Sequence, residues 1–192
     1  MQLIFATHNQ HKVGEISPLL PVSIKLVALK DAGITEDIPE TADTLAANAM
    51  QKAMFVYEKL KSDCFADDTG LEIDALGGRP GVYSARYAGE GKSAAKNIEK
   101  VLIEMRDKRS RAATFKTVIA AIIGGKPYLF EGAVKGFIAQ QKTAGENGFG
   151  YDAIFIPDGQ MVSFAQMSLE EKNSLSHRAK AVAKFIEFLN SR

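Results

Sequence analysis

Two adjacent acids, Asp67 and Asp68, close an apolar run through Cys64, Phe65 and Ala66, and Thr69 and Gly70 follow at once. Burying an unpaired carboxylate costs on the order of several kcal/mol. Acids at the end of an apolar strand therefore face a metal, a cation or a water-filled cleft. In open α/β sheets the carboxyl ends of strands are where ligands bind. Neighbouring strand residues point to opposite faces, so the two acids can differ in role. One can face the cleft while the other caps the turn or pairs with a basic side chain. The competing reading is a plain turn, since Asp and Gly are common turn formers.

A second polar stretch, Thr7-His8-Asn9-Gln10-His11-Lys12, lies between the apolar residues 3–6 and an amphipathic pattern at Val13, Ile16, Leu19 and Leu20. Strand, polar loop and helix start make a phosphate-binding layout, in which backbone amides and Lys12 can hold an anion. A plain strand-to-helix connection with solvated side chains is the alternative. His8 and His11 stand three apart with no nearby third ligand, which is weak support for a metal. Gly89-Glu90-Gly91-Lys92-Ser93 imitates the end of a P-loop, but the first glycine of that motif falls at Arg86 and no buried strand precedes it. It reads as a loop and helix cap.

Other elements must position these groups. Residues 24–29 read as a second strand, and Pro39 argues against regular structure in the polar segment 35–41. Thr44 caps a long helix with Leu45, Ala49, Ala53, Val56 and Leu60 on one face, and Asn48 and Lys52 lie on a neighbouring stripe. Ser93 begins a helix burying Ile98, Val101, Leu102 and Met105. Residues 112–123 and 128–138 flank Gly124-Gly125-Lys126-Pro127, which predicts a β-hairpin with a four-residue loop. Gly145-Glu146-Asn147-Gly148 leads through Phe149-Gly150-Tyr151-Asp152 to a strand at 153–156. Ser168-Leu169-Glu170-Glu171 has the form of a capping box, and a last helix from about Ser176 buries Val182, Phe185, Ile186 and Leu189. The pattern predicts an α/β fold with a mixed sheet flanked by helices.

A chain of 192 residues suffices for one domain, or two closely joined lobes, with a real core. With 24 Lys and Arg against 23 Asp and Glu, the net charge of +1 gives no general attraction to nucleic acid or to a membrane surface. No stretch approaches the roughly 20 apolar residues of a membrane span. The N-terminus has no charged leader. The single Cys64 excludes an internal disulfide framework and fits a reducing cytoplasm, and its apolar neighbours favour a packed thiol.

Several separated blocks, in order along nearly the whole chain, resemble the inosine triphosphate pyrophosphatase family. They are Ala6-Thr7-His8-Asn9 with Lys12; Pro39-Glu40-Thr41; Ala47-Asn48-Ala49 with Lys52-Ala53; Ala66-Asp67-Asp68-Thr69-Gly70; the run Gly78-Arg79-Pro80-Gly81-Val82-Tyr83-Ser84-Ala85-Arg86-Tyr87; Gly148-Phe149-Gly150-Tyr151-Asp152; and Glu171-Lys172-Asn173 with Ser176-His177-Arg178. Departures include His8 where many relatives carry Gly, and Ala153 where Pro is usual. None removes a candidate catalytic group.

The resemblance implies one pyrophosphatase domain over 1–192, an elongated α/β fold of two lobes enclosing a nucleotide cleft, a homodimer, and Mg²⁺ dependence. It implies hydrolysis of dITP, ITP and XTP to the monophosphate and pyrophosphate, which removes them from the nucleotide pool before incorporation into nucleic acid. Thr7, His8, Asn9, Gln10, His11 and Lys12 are implied as the triphosphate loop. Glu40 and Asp68 are implied as metal acids, Asp68 also as the activator of water, and Thr69 as a substrate contact. Phe149, Gly150, Tyr151, Asp152, Lys172, His177 and Arg178 are implied around the purine, where donors would favour a 6-keto base. A pyrophosphatase of the septum-formation type and a nucleotide sensor without turnover are the competing readings.

Overall fold

A computed structural model describes residues 1–145 and 147–192; Glu146, within the loop expected at 145–148, lies outside the described residues. The strands are β1 (Gln2–Phe5), β2 (Lys25–Ala28), β3 (Cys64–Ile73), β4 (Pro80–Gly81), β5 (Ala112–Ile123), β6 (Lys126–Ile138) and β7 (Phe155–Pro157). They form one mixed sheet in the order β2-β1-β3-β5-β6-β7, with β4 on β3. β1 pairs in parallel with β2, Leu3 opposite Leu26, and with β3, Phe5 opposite Phe65. Parallel neighbours need a crossover. Helix α1 (Gln10–Ile16) supplies one and α2 (Leu45–Leu60) the other. β3 pairs antiparallel with β4, Leu71 opposite Gly81, and β6 with β7, Ile138 opposite Phe155.

The chain divides into two compact units. The first comprises Met1–Asp68, Thr117–Gly132 and Arg178–Arg192, and the second Thr69–Lys116 and Ala133–His177. In the first, strand alternation sorts the core. Leu3, Phe5 and Phe65 pack with Ile16, Val182 and Phe185 from α1 and α5 (His177–Asn190), whereas Ile4, Cys64 and Ala66 pack with Ala49, Ala53 and Val56 of α2. The Phe5 and Phe65 rings stack at 4.5 Å. The second unit has its own core of Leu71, Ile73, Ile98, Val101, Phe115, Tyr151, Phe155 and Phe164, with α3 (Ala94–Glu104) contributing Ile98 and Val101.

The helix starts follow the capping logic of the sequence. Thr44 accepts from the Ala47 amide, Ser93 from that of Lys96, and Ser168 completes a capping box with Glu171 at the start of α4 (Leu169–Leu175). Three expectations are corrected. β3 does not end at the acids: it continues to Ile73, because Leu71 and Ile73 keep the alternation and enter the second unit's core. The hairpin loop has two residues, because Gly124 and Gly125 both take positive φ, 57° and 75°. That is the type I′ geometry which follows strand twist, so Lys126 and Pro127 begin β6. β7 starts at Phe155 because the backbone turns before it, the Asp152 amide donating to the Phe149 carbonyl.

Candidate active site

The parity of β3 decides where its acids go. Asp67 shares the face of Phe65, toward α1 and α5, and Asp68 shares the face of Cys64 and Ala66, toward α2. Cations wait on both sides. Lys12 Nζ lies 2.9 Å from Asp67 Oδ1 and donates to the Asp67 carbonyl at 3.3 Å. Arg178 donates from Nε to Asp67 Oδ2 at 3.2 Å and from Nη1 to Glu15. On the opposite face Lys52 donates to Glu40 at 2.5 Å and to Asp68 at 3.3 Å. Six of the sequence's candidates in the first unit, Lys12, Glu40, Lys52, Asp67, Asp68 and Arg178, thus fall into two linked charge groups.

Burial sets their charge states. It works against the Asp67 carboxylate, but Lys12, Arg178 and Lys52 outweigh it and hold that carboxyl well below the usual carboxylate range. Asp68 goes the other way: burial outweighs Lys52 and Lys12, and its pKa is raised. Burial lowers Lys12 despite Asp67. For Lys52 and Arg178, burial is overcome by their acids, and both are raised. One strand therefore carries a committed carboxylate beside one with an elevated proton affinity, a combination suited to proton transfer.

The rest of the expected triphosphate loop mostly holds itself. Thr7 Oγ1 accepts from the Asn9 amide and Asn9 Oδ1 from the His11 amide, so the Asn9 side chain takes one of the amides an anion could have used. His8 Nε2 lies 2.9 Å from the Glu36 carbonyl, and Gln10 and His11 are exposed. Cys64 is buried, donates to the Ala53 carbonyl, and is pushed up to about 12 by burial, as a packed thiol should be.

The second unit holds the other candidates. Asp152 Oδ2 accepts from the Phe149 amide at 2.7 Å and from Lys172 Nζ at 2.6 Å. Lys172 Nζ also sits 5.4 Å from the ring centres of both Phe149 and Phe164. Gly148 has φ +79°, and a Cβ there would lie 2.2 Å from Asp152 Oδ2, so only glycine fits. Tyr151 donates to the Ser84 carbonyl at 2.8 Å and is buried, and His177 stacks on Phe115 at 4.4 Å. Among the residues expected around the purine, Phe149 and Gly150 are half-exposed. Thr69 is half-buried on β3.

Sequence reasoning missed Glu15 and Phe115. Glu15 follows Lys12 by three on α1 beside the apolar Ile16, and an acid on a buried helix face was the available signal. Among the described residues no group of three or more His, Cys, Asp or Glu is placed to hold a metal ion. The donor set of Glu40 and Asp68 nevertheless fits Mg²⁺, which takes oxygen ligands, one or two of them carboxylates, and fills the remainder with water and substrate phosphate. Both carboxylates already converge on one cation, the Lys52 ammonium.

The fold is shared with solved proteins of one class. The Ham1 protein of Staphylococcus aureus superposes with a TM-score of 0.89 at 38% identity, covering 100% of this chain and 99% of that one. A HAM1 protein from Coxiella burnetii gives a TM-score of 0.91 at 34% identity over the full length of both. The model of the Ham1 family matches residues 3–188, and the chain belongs to that family. Its relatives include proteins named dITP/XTP pyrophosphatase: one from Flavobacterium psychrophilum is 52% identical over 191 residues and 100% of both chains, and one from Bacillus subtilis is 45% identical over 194 residues, 99% of this chain and 98% of its own. No helix among the described residues is long and apolar enough to cross a membrane.

Proposed function

We propose that the chain, acting as one domain over 1–192, hydrolyses non-standard purine nucleoside triphosphates (dITP, ITP and XTP) to the monophosphate and pyrophosphate. The observation that carries this reading is the convergence of Glu40 and Asp68 on one ammonium, with Lys12 next to them along β3 on Asp67. The full-length relatives bearing the name dITP/XTP pyrophosphatase support it. Water attacks the α-phosphorus, the bond from that phosphorus to the bridging oxygen breaks, and pyrophosphate leaves. Asp68 takes the proton of the water, for which its raised proton affinity suits it. Lys12 and Lys52 neutralise phosphate charge, with Thr7 and Asn9 shaping the loop that presents Lys12. Glu40 and Asp68 would hold Mg²⁺, which supplies electrophilic neutralisation of the phosphates and lowers the pKa of bound water.

For the base, the half-exposed Phe149 and Gly150 offer a stacking face and backbone groups, with Asp152 holding the Phe149 amide and Lys172 lying against the Phe149 ring. A site of fixed donors takes a 6-keto oxygen and rejects an amino group that leaves those donors unpaired. The protein works as a homodimer in the cytoplasm on this reading. The test is a Mg²⁺-dependent assay of dITP, XTP, dGTP and dATP that separates pyrophosphate from orthophosphate. Pyrophosphate from dITP and XTP alone is the expected result. Orthophosphate release, or tight binding without turnover, overturns it.

A further inference from the structure

The segment that carries Glu40 is pinned to α2 one residue at a time. Residues 35–43 belong to no helix or strand, so their backbone groups need partners other than a ladder. Glu40 meets Lys52 Nζ at 2.5 Å. The Thr41 amide donates to Gln51 Oε1 at 3.0 Å, and Gln51 Nε2 donates back to Thr41 Oγ1 at 3.0 Å. The Ala42 amide donates to Asn48 Oδ1 at 2.8 Å. Successive residues 40, 41 and 42 thus meet 52, 51 and 48. The segment runs back along the helix toward its start, where Thr44 caps it.

Asn48 is the buried member of this clamp, 1% exposed. The other buried positions of α2 are Leu45, Ala49, Ala53, Val56 and, one turn from Asn48, Lys52. An asparagine inside a helix is a poor helix former, and burying its amide costs free energy unless it is hydrogen-bonded. Its bond goes to the main chain two residues beyond Glu40. That bond has a use beyond packing. The Glu40 carboxylate shares the Lys52 ammonium with Asp68, and a side chain on an unanchored loop would meet that point only some of the time. Fixing the backbone beside Glu40 makes the convergence permanent.

Resting on the proposed metal role of Glu40, we propose that Asn48, assisted by Gln51, is a positioning residue for the metal site. By holding the Ala42 and Thr41 amides, the two side chains keep the Glu40 carboxylate where it and Asp68 share one divalent cation. They act through Glu40 and touch neither the cation nor the substrate.

The test uses Mn²⁺, which suits the same oxygen ligands as Mg²⁺ and whose free fraction is read directly by EPR. The full-length protein is titrated without nucleotide as wild type, Asn48→Leu, Glu40→Gln and the double variant. Asn48→Leu keeps a similar volume and removes the acceptor. Its Kd for Mn²⁺ should rise about tenfold, the lower end of what losing an outer-shell partner costs. In the Glu40→Gln background the same change should add nothing, because the ligand it positions is already gone. The Mg²⁺ concentration giving half-maximal dITP turnover should rise by a similar factor, with the rate at saturating Mg²⁺ changed much less. Should Asn48→Leu not fold, Gln51→Leu, at a half-exposed position, loosens the same clamp and should shift the Kd in the same direction by less. A folded variant that binds Mn²⁺ as wild type does overturns the proposal. An equal loss in the Glu40→Gln background also overturns it, as does wild type that binds Mn²⁺ no better than Glu40→Gln. If wild type binds Mn²⁺ through Glu40 yet turns over none of the triphosphates, the hydrolytic reading fails and the clamp is still judged by the Kd values.

Discussion

The two units handle buried charge in opposite ways. In the first, acids and cations share one another: Asp67 lies between Lys12 and Arg178, Arg178 between Asp67 and Glu15, and Lys52 between Glu40 and Asp68. In the second, Lys172 is embedded in aromatic surface, 5.4 Å from two phenyl rings, with Asp152 at 2.6 Å. A shared network can redistribute when a strongly charged ligand arrives, because each group has another partner to turn to. An embedded pair holds a shape. On the proposed function, the phosphate chemistry belongs to the first unit and rigidity to the second.

The largest expected effect tests that division directly. Asp68→Asn removes the proposed proton acceptor and should lower turnover of dITP by roughly 10²–10⁴-fold, the usual contribution of a general base. Because burial raises the pKa of Asp68, its ionised form is a burden to the folded state, and the neutral variant should melt at or above the wild-type temperature. A variant that lost stability and kept turnover would break the comparison. Lys172→Met should do the reverse. Breaking a buried pair costs about 3–5 kcal/mol, so the denaturation midpoint should fall clearly, while kcat on molecules that remain folded changes little.

The smallest effect concerns pH. Glu171 is held below its ordinary range by the Ser168 amide and hydroxyl in the capping box of α4, the helix that carries Lys172. A depressed carboxyl contributes stability that is present above its unfolded pKa of 4.5 and is lost as pH falls through the lower folded value. Protection factors of the α4 amides, taken relative to the intrinsic exchange rate at each pH, should therefore fall selectively below about pH 4, and in Glu171→Gln that fall should vanish. Protection factors in wild type that stay constant across this range would show that the cap does not hold α4.

Much of this was legible in sequence, for local reasons. Thr44, Ser93 and Ser168 announce their helices by capping, and the period of two along residues 64–68 already places Asp67 and Asp68 on opposite faces. That they would meet a metal, a cation or a water-filled cleft follows from the cost of burying an acid. What was not legible is long-range. Arg178 meets Asp67 and Glu15 across 111 and 163 positions of chain, and no periodicity encodes such a meeting. His177, read near a base, stacks on Phe115, a partner that nothing in either local pattern names. The continuation of β3 past its acids was hidden because Thr-Gly looks like a turn until a second core is there to receive Leu71 and Ile73.

The interleaving of the two units bears on inheritance. The chain passes between them at 68/69, 116/117, 132/133 and 177/178, inside β3, β5, β6 and α5 respectively. No single recombination event between diverged genes can therefore exchange one unit whole for its counterpart. Any chimera built at one of these joints splices a strand or a helix from two parents, so the charge network and the aromatic pair should diverge by point substitution rather than by shuffling.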